Sequence, residues 1–386
     1  MSRKIAVGID VGTYQIKVVV AEQQKNDQRA KILGTGFAQS RGIRHGYVIS
    51  RDDLLRTLQS AVTQAEKASG ITIRRAYLSV GGVGLEEYRS RAEVIVSRAD
   101  NEVTDIDVKN ILEESEHKIS TRLLNRRVLH AIPLAYRLDG ERLLGRPVGM
   151  KGTKLEIDSL FVTALEQHLN DLIATVEDIG ISVTDVMASP LAGSFVTLTK
   201  AQKIAGVVLA NIGAETISIA VFENDIPISV KVFPVGSTDI THDIALDLKI
   251  SLEDAEQAKR GALIDSVASK KRLDDIIGSR MTDMFLLLDA HLKRLGKNGL
   301  LPAGVVISGG GSGVATIEDI ARAALKLPSR RATLMAPDSS KIKDSSWAVA
   351  YGLCLWGLTN DSESSTFTTI KENASGVFSW LKQFLP

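Results

Sequence analysis

Two stretches of this chain overlay residue for residue without a gap. Placing VGIDVGTYQIKVVVAE (residues 7–22) over VLANIGAETISIAVFE (residues 208–223) sets Gly12 on Gly213 and Asp10 on Asn211. It also sets Ile16, Val18, Val20 and Glu22 on Ile217, Ile219, Val221 and Glu223. Each copy reads as a strand, a short glycine turn and a second strand with apolar residues at every second position. One such hairpin constrains little, because antiparallel hairpins are common. Two of them, opening halves of similar length in a 386-residue chain, call for a duplicated domain with a cleft between the copies.

A turn of this kind suits an anion. Glycine lets the backbone come close, and consecutive backbone N–H groups in a turn form an anion-binding concavity. Asp10, just before the first turn, can hold a water or a divalent metal beside a phosphate. Thr13 and Tyr14 sit at the turn tip, and Lys17 adds positive charge. A third element, AGVVISGGGSGVATIEDIARAAL (residues 303–325), reads as a buried strand, a glycine run and a helix. Gly309, Gly310 and Gly311, with Ser312 following, allow close approach of a ligand. Alone this is also the pattern of a tight strand-to-helix loop.

These three motifs, in this order, resemble the actin-like ATPase superfamily, which includes actin, the shape filament MreB, ATP-driven chaperones and sugar kinases. GIDVGT resembles its first phosphate loop, ANIGAET its second and ISGGGS its adenosine loop. EQAKRG (residues 256–261) is similar to the helix that contacts adenosine. The resemblance places Glu256 and Lys259 at the ribose or base and Arg260 on the base; spacing alone equally fits a solvated charged face. Asn211, Gly213, Ala214, Glu215, Thr216 and Gly236 join the implied nucleotide set, with Asp10 as the residue for Mg2+ and ATP as the ligand. Within the superfamily the chain is similar to the FtsA family of bacterial division proteins. The stretches that carry this are GTGFAQSRGIRHGYVISRDDLLRTLQSAVTQAEKASG, RAYLSVGGVGLEEYRSRAEVIVSRADNEVTDIDVKNILEES, and HAIPLAYRLDGERLLGRPVGMKG. The implied fold is α/β: an actin-like, duplicated ribonuclease-H-like two-lobe fold with a family-specific inserted subdomain and a C-terminal amphipathic helix.

The second loop departs from the superfamily pattern. Its usual Asp is Asn211, a poor metal ligand, and two loop glycines are replaced by Ala214 and Glu215. Pointing inward, Glu215 repels phosphate; pointing outward, it is harmless. Ser189 precedes Pro190 where MreB and the chaperones have Glu. The expectation is nucleotide binding with slow or absent hydrolysis, no residue being assigned a catalytic role.

The expected organisation is lobe one in residues 1–82 and 163–204, the insert in 83–162, and lobe two in 205–238 and 303–358. Residues 239–302 form the outer subdomain of lobe two. Helices are expected over residues 51–69, with Leu54, Leu55, Leu58, Ala61, Val62 and Ala65 on one face, and over a charged stretch capped by Thr104 or Asp105. A third ends at Gly180. Residues 359–376 are polar, rich in Ser and Thr, and read as a linker. On a helix, residues 377–386 place Val377, Phe378, Trp380, Leu381, Phe384 and Leu385 on one arc and Ser379, Lys382 and Gln383 on the other. A helix this short is marginal in water. It either docks on the protein's own surface or inserts its apolar face at a bilayer surface, as FtsA tails do. Few basic residues flank it, so binding rests on apolar insertion and is multiplied by self-association.

Composition closes off other classes. A net charge of +1 offers no basic footprint for nucleic acid. The single cysteine, Cys354, excludes an internal disulfide, suits a reducing compartment, and sits in an apolar stretch as core. The start MSRKIAVGID is not expected to be a secretory leader, and WAVAYGLCLWGL falls short of the ~20 residues of a spanning helix. The six histidines show no metal spacing. The expected place is the cytoplasmic face of the membrane at the division septum. The implied partners are the FtsZ C-terminal peptide on the outer subdomain of lobe two, further copies of the chain in a filament, the membrane, and other division proteins. Two alternatives stand beside this: a PilM-like scaffold of type IV pilus assembly, and a kinase or phosphatase of the same fold.

Overall fold

The computed structural model describes residues 4–23, 30–261, 270–335, 342 and 344–360. The expected membrane helix at 377–386, and the linker beyond residue 360, lie outside them.

The first hairpin is β1 (Lys4–Val11) and β2 (Gln15–Gln23), joined antiparallel. Val18, Val19, Val20 and Ala21 of β2 are all buried, so this strand is covered on both faces and reads as an unbroken apolar run. β3 (Ala30–Gln39) extends the sheet, and a small ribbon, β4 (Ile43–Arg44) with β5 (Tyr47–Val48), leads into α1 (Arg51–Ser69). In α1, Leu54, Leu58, Ala61, Val62 and Ala65 are buried; Leu55 is half-buried, and Thr57 takes its place on the inner face. β6 (Arg75–Val80) returns parallel to β1.

The insert follows. It comprises β7 (Glu86–Ile95), α2 (Asp105–His117), β8 (Arg126–Leu138), β9 (Glu141–Arg142) and β10 (Lys154–Leu165), in a sheet ordered β7-β10-β8-β9. Thr104, not Asp105, caps α2: the Thr104 side chain accepts from the Asp107 amide and the Asp107 carboxylate accepts from the Thr104 amide. This reciprocal box satisfies two otherwise orphaned donors.

α3 (Glu166–Asp178) is followed by Gly180 at φ 80°. β11 (Ser182–Ala188) completes the first sheet, ordered β11-β6-β1-β2-β3. α4 (Ser189–Thr197) and α5 (Lys200–Ala205) lead to lobe two. There β12 (Val207–Ile212), β13 (Ile217–Glu223) and β14 (Ile226–Phe233) are followed by α6 (Ser237–Leu248), α7 (Leu252–Lys259) and α8 (Lys270–Arg294). β15 (Val305–Ser308), α9 (Ile317–Leu325), β16 (Ser329–Arg331) and α10 (Ala348–Asn360) close it. The order β14-β13-β12-β15-β16 repeats that of lobe one strand for strand. Asp10 pairs with Lys17 and Asn211 with Ser218, so the overlay read from the sequence is also the overlay of the two ladders.

The lobes share one core. Ala6, Val19 and Ala21 of the first sheet, Leu209, Ala220 and Phe222 of the second, and Leu191, Tyr351 and Leu353 of α4 and α10 form a single buried cluster. Cys354 lies inside it. α10 runs to Asn360, two residues into the stretch read as linker, because the Thr359 hydroxyl donates back to the carbonyls of Leu355 and Trp356 and continues the turn. The insert, though part of lobe one by sequence, rests on lobe two. Glu87 of β7 accepts from the Ser229 hydroxyl (2.9 Å) and the Val230 amide (2.6 Å), and Arg89 donates to the Ile228 carbonyl (2.8 Å).

Candidate functional site

Both glycine turns close in the same way. The Gly12 amide donates to the Gln15 carbonyl (3.2 Å), and the Gly213 amide to the Thr216 carbonyl (2.8 Å). A Cβ at Gly12 would stand 2.8 Å from that carbonyl, too close for any side chain, and one at Gly213 3.0 Å, a tight fit; the first turn therefore calls for glycine before any ligand is considered.

Asp10 ends the first strand beside Ser79 at the end of β6, whose hydroxyl donates to Oδ1 at 2.7 Å. Burial raises the Asp10 pKa, offset by the nearby Lys17 and by the Ser79 hydrogen bond. Lys17 is held by the segment before α10. Its Nζ donates to the Ser346 carbonyl at 2.9 Å and lies 5.7 Å from the centre of the Trp347 ring. Burial lowers its pKa, with Asp10 and Asp344 pulling the other way.

The second turn feeds the start of α6. The Ser237 and Thr238 amides donate to the carbonyls of Gly213 (2.9 Å) and Ala214 (2.8 Å), so two of the orphan donors of that helix are spent on the loop. Gly236 passes so close that a Cβ there would lie 2.3 Å from the Ala214 carbonyl oxygen. Glu215 reaches lobe one, where its Oε2 accepts from the His45 amide at 2.5 Å.

On α7, Glu256 is engaged by Thr241, Lys259 and Arg260. Lys259 spends its three donors on the Ser237 carbonyl, Thr241 and Glu256, which ties α7 to α6. Arg260 reaches across to lobe one: it donates to the Tyr14 hydroxyl at 2.8 Å and its guanidinium lies 5.5 Å from the centre of that ring. In the third loop, the Ser312 hydroxyl donates to the Gly309 carbonyl (2.7 Å). Cβ atoms at Gly309 and Gly311 would strike Asn211 and Ile212, whereas one at Gly310 would meet nothing within 4 Å. The glycine loop is thus packed on the second turn, and Gly310 is the position left open. Thr13 stands half-buried at the tip of the first turn.

The structure therefore brings together Asp10 with Ser79, Tyr14 with Arg260, Glu215 with His45, and Asn211 with Gly309. Lys17 and Lys259 are committed elsewhere. Ser79 and His45 were missed by reasoning from sequence. Ser79 had a weak signal, the SVGG that ends an apolar run; His45 had none. Among the described residues, no group of three or more His, Cys, Asp or Glu side chains forms a metal cage, and no helix is long and apolar enough to cross a membrane.

Comparison with known proteins adds three findings. The family model for "Cell division protein FtsA" matches residues 208–352, and the model for "SHS2 domain inserted in FTSA" matches residues 82–163. Curated relatives called cell division protein FtsA align nearly end to end. That of Borreliella burgdorferi is 28% identical, covering 98% of this chain and 95% of the relative; that of Bacillus subtilis is 27% identical, covering 93% and 84%. Among solved structures, the fold is similar to a chain of the PilM-PilN type IV pilus biogenesis complex (TM-score 0.71, 17% identity, 92% and 98% of the two chains). It is also similar to MreB5 of Spiroplasma citri bound to ADP (TM-score 0.51, 12% identity, 90% and 94%). The fold is a two-lobe, actin-like α/β fold.

Proposed function

Because the chain belongs to the FtsA family of actin-like cell division proteins, we propose that it is an ATP-binding, self-polymerising adaptor. In this reading it ties the FtsZ ring to the cytoplasmic face of the membrane at the septum and helps recruit the division machinery. The observation that carries the reading is the pair of equivalent glycine turns, each reaching the opposite lobe, in a chain whose insert matches the SHS2 domain inserted in FtsA.

ATP would lie between the turns, its phosphates on backbone amides and its adenosine against Gly310, with Arg260 on the base side. The donor set fits Mg2+, which is commonly held by one or two carboxylates plus phosphate oxygens rather than by a protein cage; Asp10 is the residue for it. Bound there, the ion would neutralise phosphate charge. Asn211 cannot replace the second carboxylate that holds metal and attacking water in hydrolysing relatives, so nucleotide serves as a clamp between lobes and turnover is slow or absent. The outer subdomain of lobe two, residues 239–302, would take the FtsZ tail peptide, and residues 377–386 the membrane, with affinity multiplied by self-association.

A PilM-like scaffold role is the second reading, favoured by the high structural likeness to that chain. A kinase or phosphatase would need an acid in the second loop, which Asn211 does not supply. Electron microscopy of the protein with ATP on lipid monolayers, beside pull-down with an FtsZ tail peptide, tests the proposal. Membrane-bound filaments and peptide capture are expected; absence of both would overturn it in favour of the pilus reading.

A further inference from the structure

Tyr14 and Glu215 occupy the same place in the two copies. Val11 pairs with Ile16 and Ile212 with Ile217, so each turn has four residues between its last ladder pairs, and Tyr14 and Glu215 are the third of each. Both side chains leave their own lobe. Tyr14, from lobe one, meets Arg260 at the end of α7 in lobe two. Glu215, from lobe two, meets the His45 amide in the ribbon between β4 and β5 of lobe one. The two contacts are reciprocal, one running each way across the lobe boundary.

Each is anchored on its far side. Arg260 is held by Glu256 at 2.8 Å, and Glu256 in turn by Thr241 and Lys259. His45 has φ 49° in a ribbon tip packed against Gly82, where a Cβ on Gly46 would lie 2.4 Å from the Gly82 Cα. Neither receiving group swings freely, so each contact reports the separation of the lobes.

We infer that Tyr14 and Glu215 are paired latches that hold the lobes closed over the cleft, so that the same two turns proposed to grip phosphate also control its entry and exit. The inference rests on the nucleotide reading of the cleft for its consequence, but not for its geometry. A ligand between two lobes leaves only from the open state. Breaking a latch raises the open population and accelerates exchange, and affinity falls by the fraction of closed protein lost. The latches are partly solvent-exposed hydrogen bonds, one charge-assisted at each end, so removing one should speed release by about threefold to tenfold.

The experiment uses the full chain with spin labels at Gln59→Cys in α1 and Asp283→Cys in α8, both exposed; buried Cys354 escapes labelling. The distance distribution is measured without nucleotide for the labelled parent and for Tyr14→Phe, Arg260→Gln and Glu215→Ala in that background. Release of a fluorescent ATP analogue is followed in parallel. The parent should give one narrow distribution, and each latch variant a broader and longer one. Tyr14→Phe combined with Arg260→Gln should add little to either alone, because they share one contact; Glu215→Ala should add to both. Unchanged distances overturn the inference, and if release still quickens, the two residues are direct nucleotide contacts instead. Lengthened distances in variants of a protein that binds no nucleotide would support the latches and overturn the nucleotide reading of the cleft.

Discussion

Replacing Gly310 by alanine should weaken nucleotide binding without harming the fold. The structure separates the three loop glycines by what a methyl group would meet. At Gly309, where φ is 89°, the Cβ would stand 2.3 Å from Asn211 Oδ1; at Gly311, 2.4 Å from Ile212 Cγ2; at Gly310, nothing lies within 4 Å. Gly310 is exposed and its φ is not in the left-handed region. The chain itself therefore gives no reason for glycine at 310, and Gly310→Ala should gain about 0.4–1 kcal/mol through the lost entropy of the unfolded chain. If adenosine lies against this backbone, the added methyl overpacks the contact at a cost of roughly 1–3 kcal/mol, or about 5-fold to 150-fold in Kd. Anisotropy titration of a fluorescent ATP analogue measures the second effect and scanning calorimetry the first. Gly311→Ala is the contrast, expected to lose both stability and binding. Wild-type affinity in Gly310→Ala would refute ligand approach at this glycine; a melting loss equal to that of Gly311→Ala would refute the packing argument.

Other outcomes follow from the same chain. Burial holds His130 down to about 3 and His168 and His291 to about 4, His291 also by the charges of Arg294, Lys231 and Arg89. At these three histidines the folded state then binds fewer protons than the unfolded chain below pH 6.5, which outweighs the opposite effect of Asp185, whose carboxyl burial raises to about 6. Stability should fall as pH drops from 6.5 towards 4, by up to roughly 1.4 kcal/mol per pH unit per histidine; equal urea midpoints at pH 7 and 5 would refute this. ATP turnover measured beside binding should be slow or absent and insensitive to Asn211→Ala, and robust hydrolysis that dies on that change would show the loop to be catalytic. Removing residues 377–386 should release the protein from liposomes with its melting unchanged, and unchanged co-sedimentation would remove the anchor from the proposal. Thr104→Ala breaks the α2 capping box and should cost about 0.5–2 kcal/mol; calorimetry that shows no loss contradicts the box.

What could be read in the sequence was what repeats locally. The two hairpins announced themselves by alternation and a shared glycine, and their ladders pair in the register of the overlay. α1 was legible from its apolar spacing, although Thr57 on the inner face was not, because its hydroxyl satisfies itself on the Asp53 carbonyl. The fate of the charged side chains was not legible. Lys17 looked like a phosphate ligand by position, yet it is drawn to the Ser346 carbonyl, more than three hundred residues on. Glu215 looked like a fault in a glycine loop; its partner is a backbone amide in the other lobe, and an amide carries no sequence signature. Arg260 was placed on a base by resemblance and meets an aromatic ring of the protein itself. Side-chain direction at a lobe boundary is decided by contacts distant in sequence, where periodicity is silent.

The seat of the insert on lobe two has a consequence for solubility. β14 is an outer strand of its sheet, and an uncovered strand edge is a template for pairing with another chain. Here the Val230 amide and the Ile228 carbonyl, which point off that edge, are taken by Glu87 and Arg89 of β7, itself an outer strand. Two open edges thus blunt each other with charged side chains in place of a continuous ladder, and neither sheet is extended. A chain cut back to its two lobes would lose this cover, and with it the Leu129, Ile132, Leu160 and Val162 side chains that the insert adds to the shared core. To the lost packing it would add sheet-to-sheet aggregation between molecules.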